Sequence, residues 1–196
     1  MNSKKLPIAA GKRSFDLIEP DKLFAKLRLT EATVLLDLAC GSGAYSLAAA
    51  GYIGNEGKIY SVDLWKEGID ALQRETAVRQ LRQIQATVAD VGKHIPLADH
   101  SVDVCLMATV LHDLIQDKTE KGALREVARI VRPDGVLAVV EFKKIEGPPG
   151  PPLSIRLSPQ ELESVLSPYG FRPITTTELG SCTYLSIFRL SNTLNP

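Results

Sequence analysis

Cysteine is scarce: the 196 residues hold three, Cys40, Cys105 and Cys182, odd in number, far apart and without the close spacing of a metal site. This excludes a disulfide framework and fits small buried thiols in a reducing compartment. An excess of either charge is also missing, since lysine plus arginine and aspartate plus glutamate both number 23. Without net charge there is no overall field to draw the chain to nucleic acid or to an acidic membrane, so neither is an expected partner. Long apolar runs are lacking too. Residues 6–10, behind Lys4 and Lys5, are too short for the core of a secretion signal, and nothing later is long enough to span a bilayer. The expected location is the cytoplasm. No internal repeat occurs, and 196 residues with 44% hydrophobic content are most simply one domain, spanning 1–196.

What is present is organised around residues 34–45. The apolar run Val34-Leu35-Leu36 leads into Asp37, then Gly41 and Gly43, and a helix-compatible stretch begins at once. Such a strand, tight loop and helix start suits a cofactor: glycine tolerates positive φ and lets backbone approach a ligand, and the free N–H groups of a helix start meet its polar groups. A second strand, 58–63, ends in Asp63, about twenty residues beyond the loop, where a nucleotide-binding α/β fold places an acceptor for ribose hydroxyls. A third, 85–89, precedes Asp90. In a parallel sheet these ends open on one edge, so Asp37, Asp63 and Asp90 are expected to surround one crevice.

The remaining chain follows the same alternation. Residues 1–28 read as a polar arm followed by a short amphipathic helix near 21–27, which either covers the cofactor or packs on the sheet. Helices are expected at 65–82, 121–131 and from Ser158 to Leu166, the last opened by a capping box between Ser158 and Glu161. Further strands are expected at 102–108, 136–142, 171–177 and 183–190. Gly180 and Ser181 leave no room for a crossover, so the last strand must run antiparallel to its sequence neighbour. The fold class is therefore α/β: seven strands with helices on both faces and a C-terminal β-hairpin. Residues 144–157, rich in proline, form a stiff connector near the functional edge.

Four segments resemble class I S-adenosylmethionine-dependent methyltransferases, in the group that includes the ubiquinone and menaquinone C-methyltransferases. They are residues 37–43, Asp63, residues 95–103 with the strand that follows, and residues 126–135. The first loop glycine is replaced by Ala39, which is tolerable where φ is negative. The resemblance implies a Rossmann-like sheet and S-adenosyl-L-methionine as cofactor. It implies that the backbone at Ala39, Gly41 and Gly43 passes the methionine part, with Asp37 near its amino group. Asp63 would accept from the ribose and Leu64 pack on adenine. Asp90 would accept the adenine amine beside the Val91 N–H, and the carbonyls of Met107 and Ala108 would face the methionine end.

The implied activity is in-line methyl transfer to a small-molecule acceptor, whose identity and acceptor atom the sequence leaves open. Positioning alone can carry much of such a reaction. If the acceptor must lose a proton, His112, after the fourth strand, is the candidate catalytic base. Glu141, Lys143, Lys144 and Arg156 either contact an anionic acceptor or are solvated surface charges. A nicotinamide-dependent oxidoreductase and a non-catalytic cofactor-binding module are the alternatives, and assembly into a homo-oligomer stays open.

Overall fold

The computed structural model describes residues 14–191, so the expected arm, but for Ser14, lies outside the described residues. One seven-stranded sheet runs through the molecule in the order β3-β2-β1-β4-β5-β7-β6. β1 (Val34–Leu38), β2 (Lys58–Asp63), β3 (Ile84–Val88), β4 (Val102–Ala108) and β5 (Val131–Phe142) are mutually parallel. β1 and β4 lie centrally and are covered on both faces, which is why their sequences are almost continuously apolar. As expected, β6 (Phe171–Glu178) and β7 (Thr183–Leu190) form an antiparallel hairpin, and β7 enters between β5 and β6, antiparallel to both.

Alternating side chains divide the core into two layers. On one face α1 (Pro20–Leu27), α2 (Ala44–Ala49) and α3 (Lys66–Val78) bury Phe24, Tyr45 and Leu72 against Leu35, Ile59 and Leu106. On the other, α4 (Leu111–Gln116), α5 (Glu120–Ile130) and α6 (Pro159–Leu166) bury Leu111, Leu124 and Leu162 against Leu36, Met107 and Leu137. The α1 helix thus packs on the sheet. At α6 the capping box is complete: the Ser158 hydroxyl accepts from Glu161 N–H at 3.2 Å, and Ser158 N–H donates to the Glu161 carboxylate at 2.7 Å.

Two expected boundaries move by four residues or more, and one helix appears that the sequence did not predict. α3 stops at Val78 rather than 82, because Gln80 turns left-handed, with φ 56°, and closes the helix end. Residues 111–116 form a helix of their own, separated from α5 by Lys118 at φ 58°. β5 begins at Val131, directly after α5, instead of at 136. Val131 pairs with Val102, and the ladder resumes at Val136 after a register shift that accommodates Asp134 at φ 65°.

Candidate cofactor and acceptor site

β1 delivers its C-terminal end into a loop in which alternate residues are left-handed: Ala39 at φ 57°, Gly41 at 58° and Gly43 at 79°. The expectation of a negative φ at residue 39 is therefore corrected. Alanine in this region carries strain of about 1–2 kcal/mol, and the surrounding bonds hold it there: Cys40 N–H donates to Val62 O at 3.1 Å, and Gly43 N–H to Cys40 O at 2.8 Å. Gly43 is also needed for space, since a Cβ there would lie 2.5 Å from the Leu72 methyls.

Asp63, at the end of β2, fastens this loop to the next one. One carboxylate oxygen accepts Gly41 N–H and the other accepts Trp65 N–H, both at 2.7 Å. The first turn of α3 is pressed against the same loop, so that a Cβ on Gly68 would stand 2.7 Å from Gly41 O. Leu64 between them is 49% exposed, an apolar surface at the sheet edge.

Asp37 is 1% exposed and accepts from both the backbone N–H and the hydroxyl of Ser46, at 3.1 and 2.6 Å. The Ser46 hydroxyl lies 2.7 Å from that of Ser61. Burial pushes the Asp37 carboxyl from 3.8 up to about 6; the Ser46 bonds oppose this and the charge of Asp63 adds to it. The folded state therefore holds a proton on Asp37 that the unfolded state has lost over roughly pH 4–6. Stability from this group is present at the acid end and declines as pH rises through that window, by up to about tenfold per pH unit in the unfolding equilibrium. In urea titrations across that window, wild type is expected to lose stability relative to Asp37→Asn as pH rises; a difference independent of pH would refute the assignment.

Asp90 follows β3, whose end is tied to β2 by Ala89 N–H donating to Asp63 O at 2.9 Å. Its carboxylate accepts Gly92 N–H at 3.1 Å and pairs with Lys93 at 2.8 Å. Val91 is buried. Met107 and Ala108 end β4, opposite Val139 and Val140 of β5. The structure thus joins Asp63 to the glycine loop directly, ties Asp37 to the start of the helix that follows the loop, and sets Asp90 beside Asp63 at the same edge with its oxygens engaged by its own turn.

His112, in the first turn of α4, is 4% exposed. Its Nδ1 lies 2.8 Å from the Glu141 carboxylate and its Nε2 lies 3.6 Å from that of Asp113, while its backbone N–H donates to Glu141 at 3.3 Å. Burial works against the charged ring, but the Glu141 hydrogen bond and the charges of Glu141 and Asp113 outweigh it, and its pKa is raised above 6.5.

Arg156, 3% exposed, is neither a surface charge nor free to meet an anion. Its guanidinium donates to the carbonyls of Lys143, Ile145, Gly147, Pro149 and Pro151, every second residue of the proline-rich connector, at 2.7–3.2 Å. All five N–H groups are used. The ring of Phe142 lies beneath it, 5.6 Å away. Glu141 is buried as well, whereas Lys143 and Lys144 pair with Glu178 and Glu161 at 3.0 and 2.6 Å.

Residues 36–139 match the family model for a methyltransferase domain. The chain belongs to the methyltransferase-domain family. A demethylmenaquinone methyltransferase of Lactobacillus johnsonii is 27% identical over 128 residues, 65% of this chain and 51% of that protein. A mouse tRNA (carboxymethyluridine(34)-5-O)-methyltransferase is 30% identical over 107 residues, 55% of this chain and 14% of that one. The methyltransferase domain therefore spans about half the length of the first relative. Among solved structures, a SAM-dependent methyltransferase from Aquifex aeolicus superimposes with a TM-score of 0.82 at 26% identity, covering 90% of this chain and 92% of that one. The seven-stranded Rossmann-like sheet of this methyltransferase domain is the sheet of those neighbours.

Sequence reasoning missed Ser46, Ser61, Trp65 and Gly68 as supports of the loop, since contacts between separate crossovers leave no local pattern. Glu141 did carry a signal: an acid inside the apolar run Val139-Val140-Glu141-Phe142 needs a buried partner, which His112 supplies.

Proposed function

We propose that this domain transfers a methyl group from S-adenosyl-L-methionine to a small, neutral acceptor at the C-terminal edge of β4 and β5. The observation that carries this reading is the left-handed loop at 39–43 bound to Asp63, beside the exposed Leu64. The donor set fits the cofactor: Asp63 retains lone pairs for ribose hydroxyls, Leu64 offers an apolar face for adenine, and buried Asp37 meets a cationic amino group. Asp90 and Val91 N–H receive the adenine edge, and the carbonyls of Met107 and Ala108 bound the methionine end. When bound, the cofactor supplies a methyl group on a sulfonium with a good leaving group. The chain's task is to hold the acceptor in line and exclude water.

The acceptor is neutral because, among the described residues, the rim beyond β5 offers it no free cation. Lys143 and Lys144 are paired, Arg156 is saturated, and the exposed large side chains there are Ile145 and Leu153. The balanced charge of the chain, 23 basic against 23 acidic residues, favours a small molecule over nucleic acid as substrate; among the described residues no helix is long and apolar enough to cross a membrane. Calorimetric titration with S-adenosylmethionine and with NAD tests the reading, followed by methyl transfer to a panel of neutral acceptors. Binding of NAD in preference would overturn it.

For an acceptor that must lose a proton, His112 takes it, with Glu141 holding Nδ1. Since the base acts when unprotonated and its pKa is raised, single-turnover rates are expected to climb with pH through a midpoint above 6.5. Glu141→Gln should move that midpoint down and His112→Ala should remove it. A pH profile identical in all three proteins would assign His112 a purely structural role.

A further inference from the structure

Away from the functional edge, where the β5–β7 ladder begins, lies a groove of about 570 Å³, between the C-terminus of α1 and the face of β5, β7 and β6. Val136, which pairs with Arg189 there, is six residues from Phe142 at the functional edge, a distance of roughly 20 Å along the strand. The groove's floor is apolar, built from Val136, Ile187 and Ile174, the last 48% exposed. Its rim carries Lys26, Arg28 and Arg189, and among the described residues no carboxylate lines it.

Most other cations with described partners sit on carboxylates, as Lys66 does on Asp70, Arg79 on Glu75, Arg129 on Glu126 and Arg132 on Asp103. The side chains of Lys26, Arg28 and Arg189 have no ion pair or hydrogen bond among the described residues. The local chemistry also runs against stability. Arg189 stands directly opposite Arg172 across the β6–β7 pair, so like charges share one side of the sheet, an arrangement that is destabilising. Arg28 occupies the left-handed region at φ 52°, where glycine or asparagine is the ordinary helix-ending residue. Convergent positive charges over an apolar floor, in a hollow of small-molecule size, match the general form of a ligand site.

We infer that this groove binds a small amphipathic anion, a carboxylate or phosphate monoester on a short alkyl body, separately from the cofactor and acceptor. The head group is held by Arg28, Arg189 and Lys26, and the alkyl body lies on Ile174, Ile187 and Val136. The test is calorimetric titration of the full chain, saturated with S-adenosylmethionine, using octyl phosphate and octanoate below their micellar concentrations. Octyltrimethylammonium and inorganic phosphate serve as controls. At least one alkyl anion is expected to bind one per chain, at least tenfold more tightly than either control, and the tighter of the two identifies the head group. The double substitution of Arg28→Gln and Arg189→Gln should weaken it at least tenfold, and Ile174→Glu likewise, with the thermal midpoint not lowered and cofactor affinity unchanged, because these side chains are exposed. Three results would overturn the inference: no saturable binding of either anion, equal binding to the double variant, or inorganic phosphate binding as tightly as the alkyl anions.

Discussion

Replacing Arg156 by methionine is expected to lower the unfolding free energy by about 2–3 kcal/mol, the cost of leaving a set of carbonyls without the buried charged donor that satisfies them. The side chain of methionine fills much of the same space, so the loss is one of hydrogen bonds more than of volume. Carbonyls of residues 143, 145, 147, 149 and 151 all converge on one guanidinium. Proline at 148, 149, 151 and 152 has no N–H to offer them, so the connector has few backbone donors that could take over. Arg156→Lys should fall between the two, because an ammonium has three donors against five and no plane to lay on Phe142. Urea unfolding measures the loss, and limited proteolysis should cut residues 143–152 faster in both variants. A change below about 1 kcal/mol, with unaltered cleavage, would mean that the connector holds its shape without its central cation.

The second large effect is expected at Asp63. Its substitution by alanine removes the acceptor proposed for the ribose and leaves Gly41 N–H and Trp65 N–H without their partner. Cofactor affinity should fall by about 1–3 kcal/mol, roughly 5- to 150-fold, and stability should fall as well. Asp63→Asn keeps one acceptor oxygen and should retain part of both. Calorimetry with S-adenosylmethionine and urea unfolding on the same preparations separate the two losses. Unchanged affinity in Asp63→Ala would remove the cofactor assignment, whatever happened to stability.

The parts of this fold that were legible beforehand are those in which neighbouring residues act together. Apolar runs ending in Asp37 and Asp63, the glycines at 41 and 43, the capping box at Ser158 and the short turn at residues 180–181 each encode their conformation within a few positions. Where the reading failed, a distant partner decided. Ala39 accepts a left-handed conformation because Val62, from another strand, holds the next residue's N–H. Val131 joins a strand because Val102 is beside it, despite the proline and glycine that follow. Arg156 looked like a surface charge in sequence, and nothing within a few residues of it says that five carbonyls curl around it. The candidate site divides the same way: the positions of Asp37 and Asp63 in the strands could be read, whereas the buried hydroxyls of Ser46 and Ser61 and the pairing of His112 with Glu141 depend on crossovers brought together by the sheet.

The position of β7 has a consequence for how the polypeptide matures on the ribosome. Of the seven strands it is synthesised last, yet it is wedged between two made earlier. Until it emerges, β5 presents an unpaired flank and β6 has no neighbour to pair with, so Leu185 and Phe188 cannot yet seal either layer. The nascent chain must therefore pass through an incomplete sheet with a sticky margin, the stage at which a chaperone or a wrong partner has its best opportunity.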